Sequence, residues 1–384
     1  MPIKGTQVRI AVNTRLLLPG KLEGIGWFTY ETLKRITRAH PEHQFFFLFD
    51  RPWSETFRFG DNVTPMHIPP QARHPVLYYI WFDLVLPGVL KKIRADLFIS
   101  PDGYLPPRLG IPSLSIIHDL NFEHYPEDIP SLERQFYRHF FPRYARQATR
   151  IATVSAFSKE DIQKQYGIPA DKIDVVYNGA GEHFTPLNPK QIREQREKHS
   201  KGLPYFVFVG SQIPRKNLAR LFQAFDRLRT SGKEAALVVC GQKKWWNEAL
   251  EKTWREMRFK EDVVFTGRLS REALKHTLGA ATALTYVSYF EGFGIPILEA
   301  FRSGVPVITS NTTSMPEVAG EAALLVDPFD VHSIQKAMEA LLEDRTLQAR
   351  LVEKGLIQAN KFSWDDTAAR LWAAIEKTAS NTAH

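Results

Sequence analysis

The chain has 384 residues, 43% of them hydrophobic, with a net charge of +8 and a single cysteine. That length exceeds one ordinary core and predicts two domains, and a lone cysteine excludes an internal disulfide framework and fits a reducing cytosol. The charge divides as +4 over residues 1–190 and +4 over the rest, so no basic tail marks a nucleic-acid binder, and no run of about 18 apolar residues marks a membrane-spanning helix.

Val8–Val12 reads as a first strand rather than a secretory leader, because it is short, carries Arg9 and leads into Asn13. Gly24-Ile-Gly26 follows, ahead of a helix predicted over Trp27–Thr37. The third glycine of a dinucleotide fingerprint is replaced by Thr29, so turn chemistry alone also explains this pair. Further strands are predicted at Phe45–Phe49, Leu97–Ser100, Ser113–Ile117, Arg150–Val154 and Ile173–Val176. His40-Pro-Glu-His43 has the wrong spacing for a zinc protease. Val76–Ile93 is apolar and aromatic; Pro87-Gly88 breaks it, which predicts a buried helix pair rather than a membrane anchor. Ser131–Arg150 interleaves Arg134, Arg138, Arg143, Arg146 and Arg150 with Phe136, Tyr137, Phe140, Phe141 and Tyr144. A surface helix with its aromatics turned inward is expected, with an anionic membrane surface as the alternative partner. His118-Asp119 closes one strand. Neighbours at a strand end point to opposite sides, so the pair is not a ready-made dyad. His118 is expected to face a ligand and Asp119 to cap nearby backbone N–H groups, against the plainer expectation of a structural histidine.

Residues 186–203 are polar and charged, with Pro186 and Pro189, and read as a linker or a bridging helix. A second alternating set follows at Tyr205–Val209, Ala235–Val239, Val263–Phe265, Ala281–Val287, Val305–Ile308 and Ala322–Val326, with a closing helix at Trp364–Lys377. Cys240 ends an apolar run and is expected in the core. Alternating strands and helices imply parallel sheets covered on both faces. The predicted architecture is two Rossmann-like, doubly wound α/β domains facing a cleft: 1–185, the linker 186–203, and 204–364.

Two motifs of the second domain carry chemistry. Gly210-Ser-Gln-Ile-Pro-Arg-Lys-Asn217 leaves its first strand. An exposed Arg-Lys pair is by itself usually a solvated face, but here Arg215 and Lys216 follow a strand end, where a guanidinium can grip phosphate oxygens and an ammonium adds a point charge. The other is Glu291-Gly-Phe-Gly-Ile-Pro-Ile-Leu-Glu299. Gly292 and Gly294 let backbone approach a ligand, Pro296 suits a helix start, and the open N–H groups there favour a phosphate. Glu291 on the turn and Glu299 on the first helical turn offer carboxylates to hydroxyls, which suits a sugar nucleotide. No Asp-x-Asp pair, Walker loop, Gly-x-Ser-x-Gly elbow or Cys-x-x-Cys is present, so no cofactor or metal ligand set is read.

With these pieces, and with Tyr177-Asn-Gly179, Phe265-Thr-Gly-Arg268, Gly304-Val-Pro-Val-Ile308, Pro316-Glu-Val-Ala-Gly320 and Phe362-Ser-Trp364, the chain resembles the retaining glycosyltransferases of group 1, or family 4, with the GT-B fold. The resemblance spans nearly the whole chain and is densest over 205–330. It implies that Glu291 and the amides of Phe293, Gly294 and Ile295 hold the donor sugar, Glu299 the ribose hydroxyls, and Arg215 and Lys216 the diphosphate. It further implies that Gly24 and Gly26 pass close to the phosphates, that His118 meets the sugar, and that 365–384 returns to the first domain. Three departures stand out: Asn13 replaces a common acidic residue, Ser211 a common arginine, and Trp27-Phe28 a common basic residue. The implied reaction is metal-independent transfer of a hexose from a nucleoside diphosphate sugar to a glycan or lipid-linked hydroxyl. GDP-mannose leads and UDP- or dTDP-hexoses follow as donors. The expected location is cytoplasmic, with peripheral association at the inner membrane face left open. A non-catalytic sugar-nucleotide scaffold and a nucleotide-sugar epimerase are the alternatives.

Overall fold

The computed structural model describes residues 7–243 and 246–380. The chain divides into two compact units. One runs to Asn178 and takes the chain back from Trp364; the other is Gly179–Ser363.

The first unit is built on seven strands: β1 (Arg9–Asn13), β2 (Gln44–Phe49), β3 (Val63–His67), β4 (Leu97–Ser100), β5 (Ser113–Ile116), β6 (Arg150–Thr153) and β7 (Ile173–Val175). They lie in the order β3-β2-β1-β4-β5-β6-β7, all parallel. The apolar runs that predicted them are buried on both faces, as parallel strands under helices require. β3 was not legible because Pro65 interrupts it. Proline cannot donate to a ladder and is confined to edges, and β3 is the sheet's edge strand.

Pro87-Gly88 does not break the apolar segment into a helix pair. Helix Pro75–Tyr79 passes through a π-helical turn, Ile80–Val85, into helix Leu86–Lys92. Widening the turn ahead of Pro87 accommodates a residue that has no N–H to give. Trp81, Phe82, Leu86 and Leu90 are buried there with Phe136, Phe141 and Tyr144 of helix Ser131–Gln147. Each such side chain contributes about 1.5–3 kcal/mol by leaving water. The aromatics of the second helix therefore face inward, while Arg138, Arg143 and Arg146 are exposed. Arg150 has left the helix and pairs with Asp174 at 2.8 Å. Among the described residues no helix is long and apolar enough to cross a membrane.

The closing helix, Trp364–Ser380, packs within this unit on helix Gly24–Ala39. Trp372 stacks on His40 with centroids 3.6 Å apart, Arg35 meets Asp365 at 2.5 Å, and the Thr367 hydroxyl donates to Tyr177 O at 2.7 Å.

The second unit has six parallel strands: β8 (Tyr205–Val209), β9 (Ala236–Cys240), β10 (Val263–Gly267), β11 (Ala283–Tyr286), β12 (Val307–Ser310) and β13 (Ala323–Val326), in the order β10-β9-β8-β11-β12-β13. Helix Leu218–Thr230 turns Leu218, Leu221, Phe222, Phe225 and Leu228 inward at helical spacing and packs on helix Val331–Glu343. The polar stretch 186–203 carries helix Pro189–Ser200. It is opened by a capping box between Asn188 and Gln191 and packs within this unit on helix Arg271–Gly279. Strand order reverses between β1 and β4 in one sheet and between β8 and β11 in the other. Outside the carboxyl ends of strands at such reversals, open α/β sheets bind ligands.

Candidate functional site

Beside the β8–β11 reversal, two glycines at the ends of β8 and β9 bring backbone unusually close. Gly210 and Gly241 have φ of 149° and 141°, and a Cβ on Gly241 would stand 1.9 Å from Gly210 O. The chain then makes the turn Pro214–Lys216, and Asn217, at φ 62°, opens the following helix. The Asn217 amide donates to Val287 O at 2.9 Å and Pro328 O at 2.7 Å, and Tyr289 N–H donates to Arg215 O at 3.0 Å. These bonds fasten the Arg-Lys turn beside the end of β11.

There Lys216 Nζ lies 2.5 Å from Glu291 Oε1, and Arg215 Nη1 lies 2.9 Å from Glu291 Oε2. Lys216 Nζ also donates to the Tyr286 hydroxyl at 2.6 Å, and Arg215 to Phe290 O at 3.0 Å. Burial alone would raise the Glu291 carboxyl. The two cations, with a hydrogen bond from Lys216, outweigh it and hold the group at about 2. The residues predicted to serve sugar and diphosphate separately thus form one ion cluster.

The glutamate turn is shaped as its glycines suggested. Gly294 has φ of 105° and caps helix Ile295–Arg302, with Pro296 second in that helix. A Cβ there would meet Ile297 Cδ1 at 3.1 Å and Tyr286 Cε1 at 3.4 Å. The Ser314 hydroxyl donates to Glu291 O at 2.8 Å and to Phe293 O at 3.1 Å, and Glu291 N–H donates to Thr313 Oγ1 at 3.3 Å. Gly292, Phe293 and Gly294 are buried, and Ile295 is half-buried at the helix start, where the macrodipole favours an anion. Glu299 is the fifth helical residue, one position deeper than a helix begun at Pro296 would place it. Burial pushes its carboxyl up to about 7, with Arg271 pulling the other way.

Sequence reasoning missed Tyr286, Thr313 and Ser314. Tyr286 read as a core strand residue, and nothing local tied it to Lys216. The polar run Asn311–Ser314 just after β12 was the available signal for the other two.

Gly24, Gly26 and His118 stand on the first unit. The two glycines are not a loop before the helix; they are its first turn. A Cβ on Gly26 would lie 2.9 Å from Leu16 O, so packing requires this glycine, whereas nothing lies within 4 Å of a Cβ on exposed Gly24. His118 is half-buried; its Nε2 is 2.8 Å from Pro101 O, and burial lowers its pKa despite Pro101, Asp119 and Asp102. Asp119 Oδ1 accepts from Asn121 N–H at 3.0 Å, a bond to a nearby backbone N–H of the kind expected of it.

Residues 190–357 match the family described as glycosyl transferases group 1, and residues 22–181 the glycosyltransferase family 4. The O-antigen chain mannosyltransferase B of Escherichia coli is 30% identical over 72% of this chain and 73% of its own. The O-antigen chain mannosyltransferase RfbU of Salmonella typhimurium is 28% identical over 69% and 70%. Among solved structures, the sucrose-phosphate synthase of Thermosynechococcus elongatus superposes with a TM-score of 0.79 at 17% identity, covering 98% of this chain and all of its own, a likeness of fold.

Proposed function

The chain belongs to the group 1 glycosyl transferases, and on that premise we propose that it moves mannose from GDP-mannose to a hydroxyl of a growing surface glycan, without a metal ion and with retention at the anomeric carbon. The observation that carries this reading is the convergence of Arg215 and Lys216 on Glu291, beside the amides that start helix Ile295–Arg302. Two fixed cations and a helix N-terminus are what a departing diphosphate needs. The names of the mannosyltransferase relatives support mannose as the sugar and a glycan as the acceptor.

In this reading Glu299 receives the ribose hydroxyls, Arg215 and Lys216 bind the diphosphate, and Glu291 with the amides of Phe293, Gly294 and Ile295 orients the sugar. Gly24 lets backbone approach phosphate oxygens. As the bond from the anomeric carbon to the diphosphate breaks, the acceptor oxygen bonds to the same face of that carbon. The acceptor's proton passes to the leaving diphosphate, so no protein nucleophile is required. A lipid-linked acceptor at an anionic membrane is favoured by exposed Val76, Tyr79 and Leu84 on the Pro75–Val85 segment, and by exposed Leu132 on the helix that carries Arg138, Arg143 and Arg146.

The deciding experiment incubates the protein with GDP-mannose, UDP-glucose and dTDP-glucose, each with and without EDTA, and follows nucleotide release and product configuration by NMR. Release of GDP that survives EDTA, with an α-linked product, is the expected result. Turnover of another nucleotide, loss with EDTA or an inverted product would each overturn the corresponding part.

A further inference from the structure

The reversal point of the first sheet, between β1 and β4, holds a buried ion pair that the reaction as described does not use. Arg15, just after β1, donates from Nε to Asp102 Oδ2 at 2.6 Å, and from Nη1 to Ala72 O at 3.1 Å. Its guanidinium lies 4.4 Å from the centroid of Tyr104, 4.9 Å from Tyr78 and 5.6 Å from Phe82. The other Asp102 oxygen accepts from the Asn13 amide at 2.8 Å and the Ser100 hydroxyl at 3.1 Å. Gly103 N–H donates to Ser100 O at 3.3 Å, and Gly103 O accepts from the Ser115 hydroxyl at 3.0 Å. The chain is thus pinned on both sides of Pro101.

Pro101 O is the atom that meets His118 Nε2, at 2.8 Å. A carbonyl can only accept, so Nε2 carries the proton, and in the neutral imidazole Nδ1 is left as a bare lone pair. The ring is steadied by Phe28, edge-on at 5.1 Å, and the His118 carbonyl accepts from the Ser158 hydroxyl at 3.2 Å. The charges facing the imidazole are Asp119 and Asp102. A buried ion pair adds little net stability over an apolar pair of the same size, so what this one supplies is geometry.

We propose that the Arg15–Asp102 pair is a positioning element for sugar transfer: it holds the Ser100–Gly103 turn so that Pro101 locks His118 with Nε2 protonated, leaving Nδ1 to accept a hydrogen bond from a hydroxyl of the sugar substrate. The statement about Nδ1 and substrate rests on the glycosyltransferase reading of His118; the statement about the turn and the tautomer concerns the free protein.

The test is multiple-bond 15N NMR of histidine-labelled protein without donor at about pH 7.5, alongside steady-state kinetics. In the wild type, His118 shows a protonated Nε2 and a bare Nδ1. Asp102→Asn keeps the shape of the side chain and removes its charge. It gives a mixed His118 tautomer and lowers kcat by about ten- to a hundredfold with the donor KM little changed. Arg15→Ala behaves alike, and millimolar guanidinium, refilling the aromatic cage, restores both signals.

A wild-type His118 protonated at Nδ1, or already a mixture, overturns the proposal without any variant, so a variant that fails to fold does not shield it. Folded variants that keep both the wild-type tautomer and wild-type kcat overturn it equally. A changed tautomer with unchanged kcat removes the role in transfer. A wild type that turns over no nucleotide sugar removes the transferase reading and leaves the tautomer result standing.

Discussion

The Lys216 ammonium stands 2.5 Å from Glu291 Oε1 while donating at 2.6 Å to the Tyr286 hydroxyl, so the carboxylate expected to meet a sugar is bound to a cation before any sugar arrives. A diphosphate reaching Arg215 and Lys216 competes with Glu291 for both. On the proposed reading, donor binding redistributes the cluster and releases Glu291 towards the sugar hydroxyls.

Glu291→Gln makes that exchange visible. It leaves two cations beside a buried neutral side chain, which costs about 3–5 kcal/mol of stability. GDP then supplies the missing negative charge, so its thermal shift is larger in the variant than in the wild type, while turnover falls sharply. Lys216→Ala loses turnover, with a smaller GDP shift than the wild type. A thermal-shift titration with GDP separates the two, and equal shifts in all three proteins would sink the exchange.

If Glu299 receives the ribose hydroxyls as proposed, nucleotide binding depends on pH. Its carboxyl titrates near 7 in the free protein because it is buried. Ribose hydroxyls donate to the ionised form, so binding releases a proton at low pH. GDP affinity therefore rises as pH increases through about 7 and then levels off. Stability runs the other way. With a folded pKa above the unfolded one, this group's contribution is full below the unfolded value and is lost as pH rises through about 7. Glu299→Gln flattens the affinity profile, weakens binding throughout and raises Tm above neutral pH. Calorimetry from about pH 5.5 to about 8.5 measures all three.

The glycines separate packing from chemistry. Gly26→Ala forces a methyl against Leu16 O and costs at least about 1 kcal/mol. Gly294→Ala places a side chain at φ 105° against Ile297 and costs about 1–2 kcal/mol, with weaker donor binding. Gly24→Ala meets no atom and leaves Tm unchanged, yet lowers turnover if backbone at this point approaches the donor phosphates. Wild-type kinetics in Gly24→Ala would remove that position from the site.

Membrane association has its own signature. Leu84, 62% exposed, offers apolar surface along with exposed Val76, Tyr79 and Leu132, and Arg138, Arg143 and Arg146 are exposed on the helix that carries Leu132. Flotation with vesicles containing anionic lipid is expected to retain the protein at low salt and release it as salt rises, because the Debye length falls to about 3 Å at 1 M. Leu84→Ser together with Arg143→Ser abolishes retention and leaves transfer to a soluble acceptor intact. Equal retention on neutral vesicles would contradict the charge component.

Much of this protein was legible in its sequence, because parallel strands buried on both faces must be apolar throughout and glycine turns with φ above zero leave few alternatives. Twelve strands were visible in this way, and β3 was hidden by Pro65, which only its edge position permits. The residue types at 215, 216, 291 and 299, with the first three just past strand ends and Glu299 on the helix that follows, were likewise fixed by local pattern. What the tertiary structure alone decided is who faces whom. Arg215 and Lys216 meet Glu291 across about 75 residues of chain, Arg15 meets Asp102 across 87, and Pro101 O reaches His118 from a neighbouring strand end. Charge pairing, burial-driven pKa values and a histidine tautomer depend on distances of a few ångströms between residues far apart in sequence. Those distances come only from the order in which the strands are laid side by side.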